Sequence, residues 1–492
     1  MRNTVLDERS ARSASSSCRK RRWVVAIAFM VTNSAAAQVE TVQVREDFAR
    51  DPDWEARNNL PDPSTCVTKT QDFGYSRSRH AGGEPGEIGG RVSRSVTPAV
   101  YAMPIRPRSL QQRLRASGRF SVTQSEGGSG VLVGWFNQTS RGWRTPNSLV
   151  FRIDGESDRF RVFFEYGTQT WKTGGGRTFE GRYQVTKTPL HRADGTPHTW
   201  SLDYEPAGAD GAGEITYTLD GKKYTARLGP GHKGEGAVFD RFGIMNVQMS
   251  GDGITVWLDD LVIDGVKQDF AADPGWEGKG NRATFRDCVR RPYHDFGYRQ
   301  TDRAGGEPGE IGGIVWRIES INPQNAGYYG TPVGRLSLND ELRASGKISL
   351  HQAAADSAVL IGWFNAHTPI GAPPDNFLGL LVEGPSRIGH YVRPAWASSD
   401  DQREIMSTGP IIRPDDASHD WTLHYDPNAD TGRGVITMSL DGQTITMPLS
   451  ELARKGNAAF NRFGLVTWHR GGHFVDIYFD DLSFTARKPE DR

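Results

Sequence analysis

The sequence predicts an all-β chain built as two β-sandwiches in tandem, and three observations carry that prediction. The decapeptide AGGEPGEIGG stands at 81–90 and returns, letter for letter, at 304–313. Short alternating or continuous apolar runs recur along both halves without a sustained helical period. The chain holds 57 glycines and 13 tryptophans, a composition suited to turn-rich sheets rather than helices.

At 492 residues the chain is long enough for two to four domains. Its 59 basic and 59 acidic residues cancel, so the charge balance calls for no nucleic acid partner. The N-terminus reads as a targeting segment. Arg19-Lys20-Arg21-Arg22 precedes the apolar run 23–31, and Ala35-Ala36-Ala37 follows it. That order describes a secretory signal peptide over 1–37, cut after Ala37, which implies a secreted or periplasmic protein. The apolar run is too short to span a bilayer. Cys18 falls upstream of it, leaving Cys66 and Cys288 at matching places in the mature chain. Export permits a disulfide. Equivalent positions of tandem copies meet only under rough two-fold symmetry, however, so two separate buried thiols are expected.

The first module is expected over 40–265 and the second over 266–487. Both open alike, with Asp47-Phe48, Asp51-Pro52 and Trp54-Glu55 matching Asp269-Phe270, Asp273-Pro274 and Trp276-Glu277. Asp72-Phe73-Gly74-Tyr75 and Asp295-Phe296-Gly297-Tyr298 then lead into the decapeptides. The offset between copies is 223 at Phe73/Phe296, 228 at Trp135/Trp363 and 221 at Trp200/Trp421. Lengths therefore change between strands, as loops do on a fixed scaffold. The apolar patterns place strands at 88–96, 118–123, 130–136, 148–153, 160–166, 199–204, 215–219, 239–247 and 255–263. The second module repeats most of them, at 346–351, 358–364, 377–382, 420–425, 435–440, 460–467 and 475–484. Asp220-Gly221 and Asp441-Gly442 are hairpin turns at matching places. With almost no linker after Gly265, the modules should sit stiffly together.

Six of the decapeptide's ten residues are Gly or Pro, which makes it a shaped loop feeding a strand. Its carboxylates are Glu84 and Glu87, repeated as Glu307 and Glu310, and an arginine follows each copy, Arg94 or Arg317. Residues three apart on an extended strand point to opposite faces, so Glu84 and Glu87 pair only if the chain turns at Pro85-Gly86. Otherwise one glutamate holds the loop by accepting backbone N–H bonds.

The order Asp-Phe…Trp, then Gly-Trp-Phe-Asn (134–137 and 362–365), Arg-Phe-Gly (241–243 and 462–464) and a closing Asp-Asp-Leu (259–261 and 480–482) resembles the concanavalin A-like lectin/glucanase group in its laminin G-like form. The resemblance covers nearly all of 40–487. It implies two tandem jelly-roll sandwiches and a carbohydrate ligand. The Glu-x-Asp-x-(x)-Glu strand of the glucanases is missing: Glu156-Ser157-Asp158 has no second glutamate. Of the alginate-lyase pattern only Gly181-Arg182-Tyr183 is present.

Sugar-binding faces combine flat aromatics with planar polar groups. The first module offers Trp135, Asn137, Arg144, Asn147, Arg152, Glu165, Tyr166 and Trp171. Alternation sets Arg152 and Glu165 away from the core as a cross-strand pair. The second module has Leu381 in place of Arg152. Trp135 and Trp363 serve equally as core packing. Asp259-Asp260 and Asp480-Asp481 could supply oxygen ligands to Ca²⁺, but no cofactor is required. The expectation is a monomeric, secreted, lectin-like polysaccharide-binding protein without a membrane span. The competing classes are a glycoside hydrolase or polysaccharide lyase using Glu87 or Glu165, and a structural or adhesive surface protein.

Overall fold

The computed structural model describes residues 40–488 except 96–97, 141–144, 171, 176–177, 180–181, 184–187, 247–251, 269, 288–293, 319–324, 354–355, 369–372, 385–388, 400–401, 452, 454–455, 457 and 469–470. Cys18, Arg144, Trp171 and Cys288 lie outside the described residues.

Four antiparallel sheets form two sandwiches of jelly-roll type, as the strand patterns predict. The first sandwich pairs a nine-stranded with a ten-stranded sheet, and the second pairs two eight-stranded sheets. Alternation builds each core. In strand Ser148–Glu156, Leu149, Phe151 and Ile153 turn inward against Trp200 and Tyr217 of the facing sheet. Strand Ser357–Phe364 does the same in the second sandwich with Val359, Ile361 and Trp363. Most expected strands lie where the apolar runs put them. Strand Ala99–Ser109 escaped the pattern because Pro104 and Pro107 interrupt it, and its pairing shifts register close by, between Phe239 and Arg241 of the neighbouring strand. No helix among the described residues is long and apolar enough to cross a membrane.

The sheets do not part at the expected boundary of 265/266. Thr41–Glu46, at the start of the chain, pairs with Phe474–Arg487 at its end, and Glu55–Arg57 pairs with Tyr328–Ser337. Reciprocally, Val266–Lys267, Glu277–Lys279 and Arg282–Asp287 all join sheets of the first sandwich. Each repeat thus gives its opening segment to the sandwich of the other. Phe48 and Trp54 are buried in the second core, and Phe270 and Trp276 in the first.

The shared motifs are the means of this exchange. Trp54 lies 5.7 Å from Tyr329, and Trp276 lies 5.8 Å from Tyr101. The two tyrosine hydroxyls donate to Asp51 and Asp273. Glu55 takes a forked ion pair from Arg462, and Glu277 takes one bond from Arg241, the arginines of the two Arg-Phe-Gly motifs. The decapeptide receives the segment's phenylalanine. A Cβ on Gly86 would lie 1.9 Å from the Phe270 carbonyl oxygen, and one on Gly309 would lie 2.0 Å from that of Phe48.

Cys66 is disulfide-bonded, which corrects the expectation of two separate thiols. The exchange supplies the physical reason, since it sets Val67–Ser76 antiparallel to Arg282–Asp287 with Val67 opposite Asp287. One further step of that register pairs positions 66 and 288, so Cys288 is the predicted partner. Unreduced, unfolded mature protein should show no titratable thiol, and Cys288→Ser should expose one. A free thiol in the parent would refute the pairing.

A second prediction concerns Gly312, whose φ is +154° and whose added Cβ would meet the Ile477 carbonyl oxygen at 2.1 Å. Gly312→Ala combines a strained backbone with an overpacked contact, and should cost about 2–6 kcal/mol in denaturant unfolding.

Candidate functional site

Glu87 and Glu310 are 0% exposed. The Glu87 carboxylate accepts from the N–H groups of His80 and Ala81, at 2.8 and 2.7 Å. Glu310 accepts from Arg303 and Ala304, at 3.1 and 2.8 Å. Both oxygens of each are thereby engaged in holding the loop. Glu84 and Glu307 are exposed. Arg94 pairs with Asp287 of the exchanged segment, whereas Arg317 pairs with Glu383.

The first module's expected sugar set is divided by the structure. Trp135 is a core residue, edge-on to Phe242. Tyr166 also turns inward; its hydroxyl bonds His232 and accepts from the Gly229 N–H. Asn137 donates to the Val238 carbonyl and Asn147 accepts from the Val238 N–H. Asn365 and Asn376 make the same two bonds to Ala459 in the second sandwich, so these asparagines peg one loop in both copies. Arg152 and Glu165 do face away from the core and meet across strands at 2.8 Å. At 1% and 3% exposure they form an enclosed pair beneath which Phe163 packs, not an open face.

An open site lies elsewhere, in a cleft of about 760 Å³ between the two sandwiches. The first sandwich contributes Val100, Gln138, Asn147, Gln169 and the exposed Lys279. The second contributes the outer face of one sheet, through Ile314, His351, Gln352 and Asp476, with the loop from Arg413 to Asp416. Arg413 spans the junction by donating to the Thr170 carbonyl at 3.0 Å.

On that outer face the polar side chains form a network. His351 Nδ1 bonds Asp416 at 2.6 Å, and Arg303 donates to the same carboxylate at 3.1 Å. The Arg303 guanidinium lies over the Tyr478 ring, 5.1 Å from its centre. Tyr478 bonds the Asp476 carboxyl, whose Oδ1 is enclosed with no hydrogen-bond partner. Burial raises the pKa of Asp476, against the opposing pull of His351, Arg303 and Arg299.

Sequence reading missed this network because its members are scattered over 175 residues and only the fold collects them. The signal that would have found it is a comparison of outward positions between the repeats. Ladder register equates Asp476 with Thr255, and Gln352 with Gln124. The neighbouring positions follow: His351 matches Thr123, Tyr478 matches Trp257, and Asp416 matches Gly195, each of the last two bonding the strand beside it. Arg303 over Tyr478 stands where His80 stacks on Trp257.

Among the described residues, no three His, Cys, Asp or Glu side chains gather as metal ligands. The acidic pairs are engaged within the fold. Asp259 and Asp480 each accept from the next residue's N–H at 2.7 Å, while Asp260 pairs with Arg119 and Asp481 with Lys347.

No family profile and no curated protein matches the chain. Among solved structures it is similar to domains LG4-5 of the mouse laminin alpha1 chain, at 12% identity over 82% of this chain and 95% of that one, with a TM-score of 0.25. It is also similar to the binding domain of botulinum neurotoxin DC, at 10% identity over 87% and 98%, and to the carbohydrate recognition domain of Emp47p, at 12% over 41% and 92%, both with TM-scores of 0.25. These are likenesses of fold. The chain's own two sandwiches are of jelly-roll type.

Asp480 yields a prediction from its electrostatics. Burial, with Asp481 and Glu310 nearby, pushes its pKa up to about 6. The folded state therefore holds this proton more tightly than the unfolded chain does. That contribution to stability is complete below the ordinary aspartate range and is lost as pH rises through about 6. Asp480→Asn should accordingly raise the melting temperature more at about pH 8 than at about pH 4. An equal shift at both would show that the carboxyl titrates alike folded and unfolded.

Proposed function

We propose that this is an exported saccharide-binding protein whose ligand occupies the cleft between the sandwiches. The observation carrying the reading is the cleft itself. Amide, carboxylate and ammonium groups alternate there with aliphatic and proline surfaces, in a volume typical of small-ligand sites. Planar polar heads suit hydroxyl pairs, and the apolar patches suit the C–H faces of sugar rings. The Cys66 disulfide supports export, because such bonds persist in oxidising compartments. The N-terminal basic and apolar order supports it as well, although 1–39 lie outside the described residues.

Binding is favoured over hydrolysis or elimination at the two glutamates first considered. Glu87 has both oxygens on backbone N–H groups, and Glu165 is enclosed against Arg152. Neither stands where a glycosidic bond could reach it.

The test is a glycan array with the full mature chain, followed by calorimetric titration of the strongest responder. Lys279→Ala removes a cation from one wall and should weaken binding about three- to tenfold. Reducing-sugar and unsaturated-uronate assays on the same glycans should stay silent. If no glycan binds, or binding ignores Lys279, the cleft is not the site.

A further inference from the structure

We infer that the second sandwich's wall selects which saccharide the cleft accepts, and that Asp476 there takes a hydroxyl or ammonium donor from a neutral or amino sugar while excluding uronates. The inference rests on the saccharide reading above and narrows it.

Asp476 is an acceptor short of a donor. Tyr478 serves its carboxyl, but Oδ1 has no partner among the described residues. The last torsion of an aspartate is broad and soft, so a small turn presents that oxygen to the cleft which the residue lines. An arriving donor would meet the unfilled requirement of a buried carboxylate, the kind of group whose lack of a partner is costly. An arriving carboxylate would find the reverse.

Arg303 and Arg299, whose charges reach Asp476, are both paired with other carboxylates. Arg303 is held by Asp416, Arg299 by Asp295, and Arg413 by the Thr170 carbonyl. Among the described residues Lys279 and Arg413 line the cleft as cations, with Asp415, Asp416 and Asp476 as carboxylates. His351, fixed through Nδ1 by Asp416, is left to offer its far ring edge to the ligand.

The repeat supplies an internal control. At the equivalent positions the first sandwich has Thr255, Thr123 and Gly195 in place of Asp476, His351 and Asp416. The scaffold therefore folds without these groups, since the same ladders close around threonine and glycine. What distinguishes the second copy is a set of interdependent changes on one outer face. A carboxylate, the histidine beside it and the aspartate orienting that histidine occur together in the second copy.

The same control gives the experiment. Cellotetraose, chitosan tetramer and tetragalacturonate are titrated into the full mature chain and into Asp476→Thr, His351→Thr and Asp476→Asn. The parent should bind the neutral or the amino tetramer and not the tetragalacturonate. Asp476→Thr should lose about tenfold or more with little change in melting temperature, and His351→Thr about threefold or more. Asp476→Asn, nearly isosteric, guards against a folding defect and should also weaken binding. If the parent prefers tetragalacturonate, or both Asp476 variants bind as the parent does, the inference falls while the saccharide reading stands. If none of the three tetramers binds the parent, the inference falls, while the saccharide reading is decided by the glycan array.

Discussion

The contact on which the molecule depends is the approach of one backbone to another at Gly86 and Gly309. Each glycine leaves room for the carbonyl of a phenylalanine from the other repeat, Phe270 or Phe48. Everything near it serves that meeting. The buried glutamate one residue on draws the loop into shape, and a tryptophan six residues beyond the phenylalanine fills the core. Burying two large aromatics contributes about 1.5–3 kcal/mol apiece, with about 0.5–1.5 more from each ring pair. The repeat of the decapeptide letter for letter is thus explained by packing: both copies receive the same segment in the same way.

The sheets were legible in the sequence because their inner faces alternate strictly. Leu149, Phe151 and Ile153 announce a strand face whatever the partner strand is. Partner identity was not legible. Nothing local in Asp51-Pro52 or Trp54-Glu55 says which sandwich it joins, and two copies of the motif permit either assignment. The disulfide was misjudged for the same reason, since its geometry follows from the exchange. At the site, alternation correctly turned Arg152 and Glu165 outward, but an outward residue can still be covered. The His351–Asp416 pair was invisible because its members belong to a strand and a distant loop.

Two charge arrangements mark the outer faces, one buried and one half-exposed. Arg152 and Glu165 form a closed pair in the first sandwich, where losing either partner would strand a charge at a cost of about 3–5 kcal/mol. Leu381 and Ala395 fill the matching places in the second, so apolar residues serve the scaffold there instead. The network around His351 is open on one side to the cleft. Closed pairs specify a structure, whereas an open network leaves groups available to something else.

The pairing of Thr41–Glu46 with Phe474–Arg487 also sets an order of events. Val44 meets Phe484 across almost the whole chain. During synthesis the segment that emerges first is the one used last, since its sandwich is incomplete until the final strand is made. The first sandwich closes earlier, once 266–287 has appeared. Until the second sandwich forms, the opening aromatics Phe48 and Trp54 have no core to enter, and such long-range closure is slow. The second sandwich therefore closes only when the whole span from Thr41 to Arg487 is present.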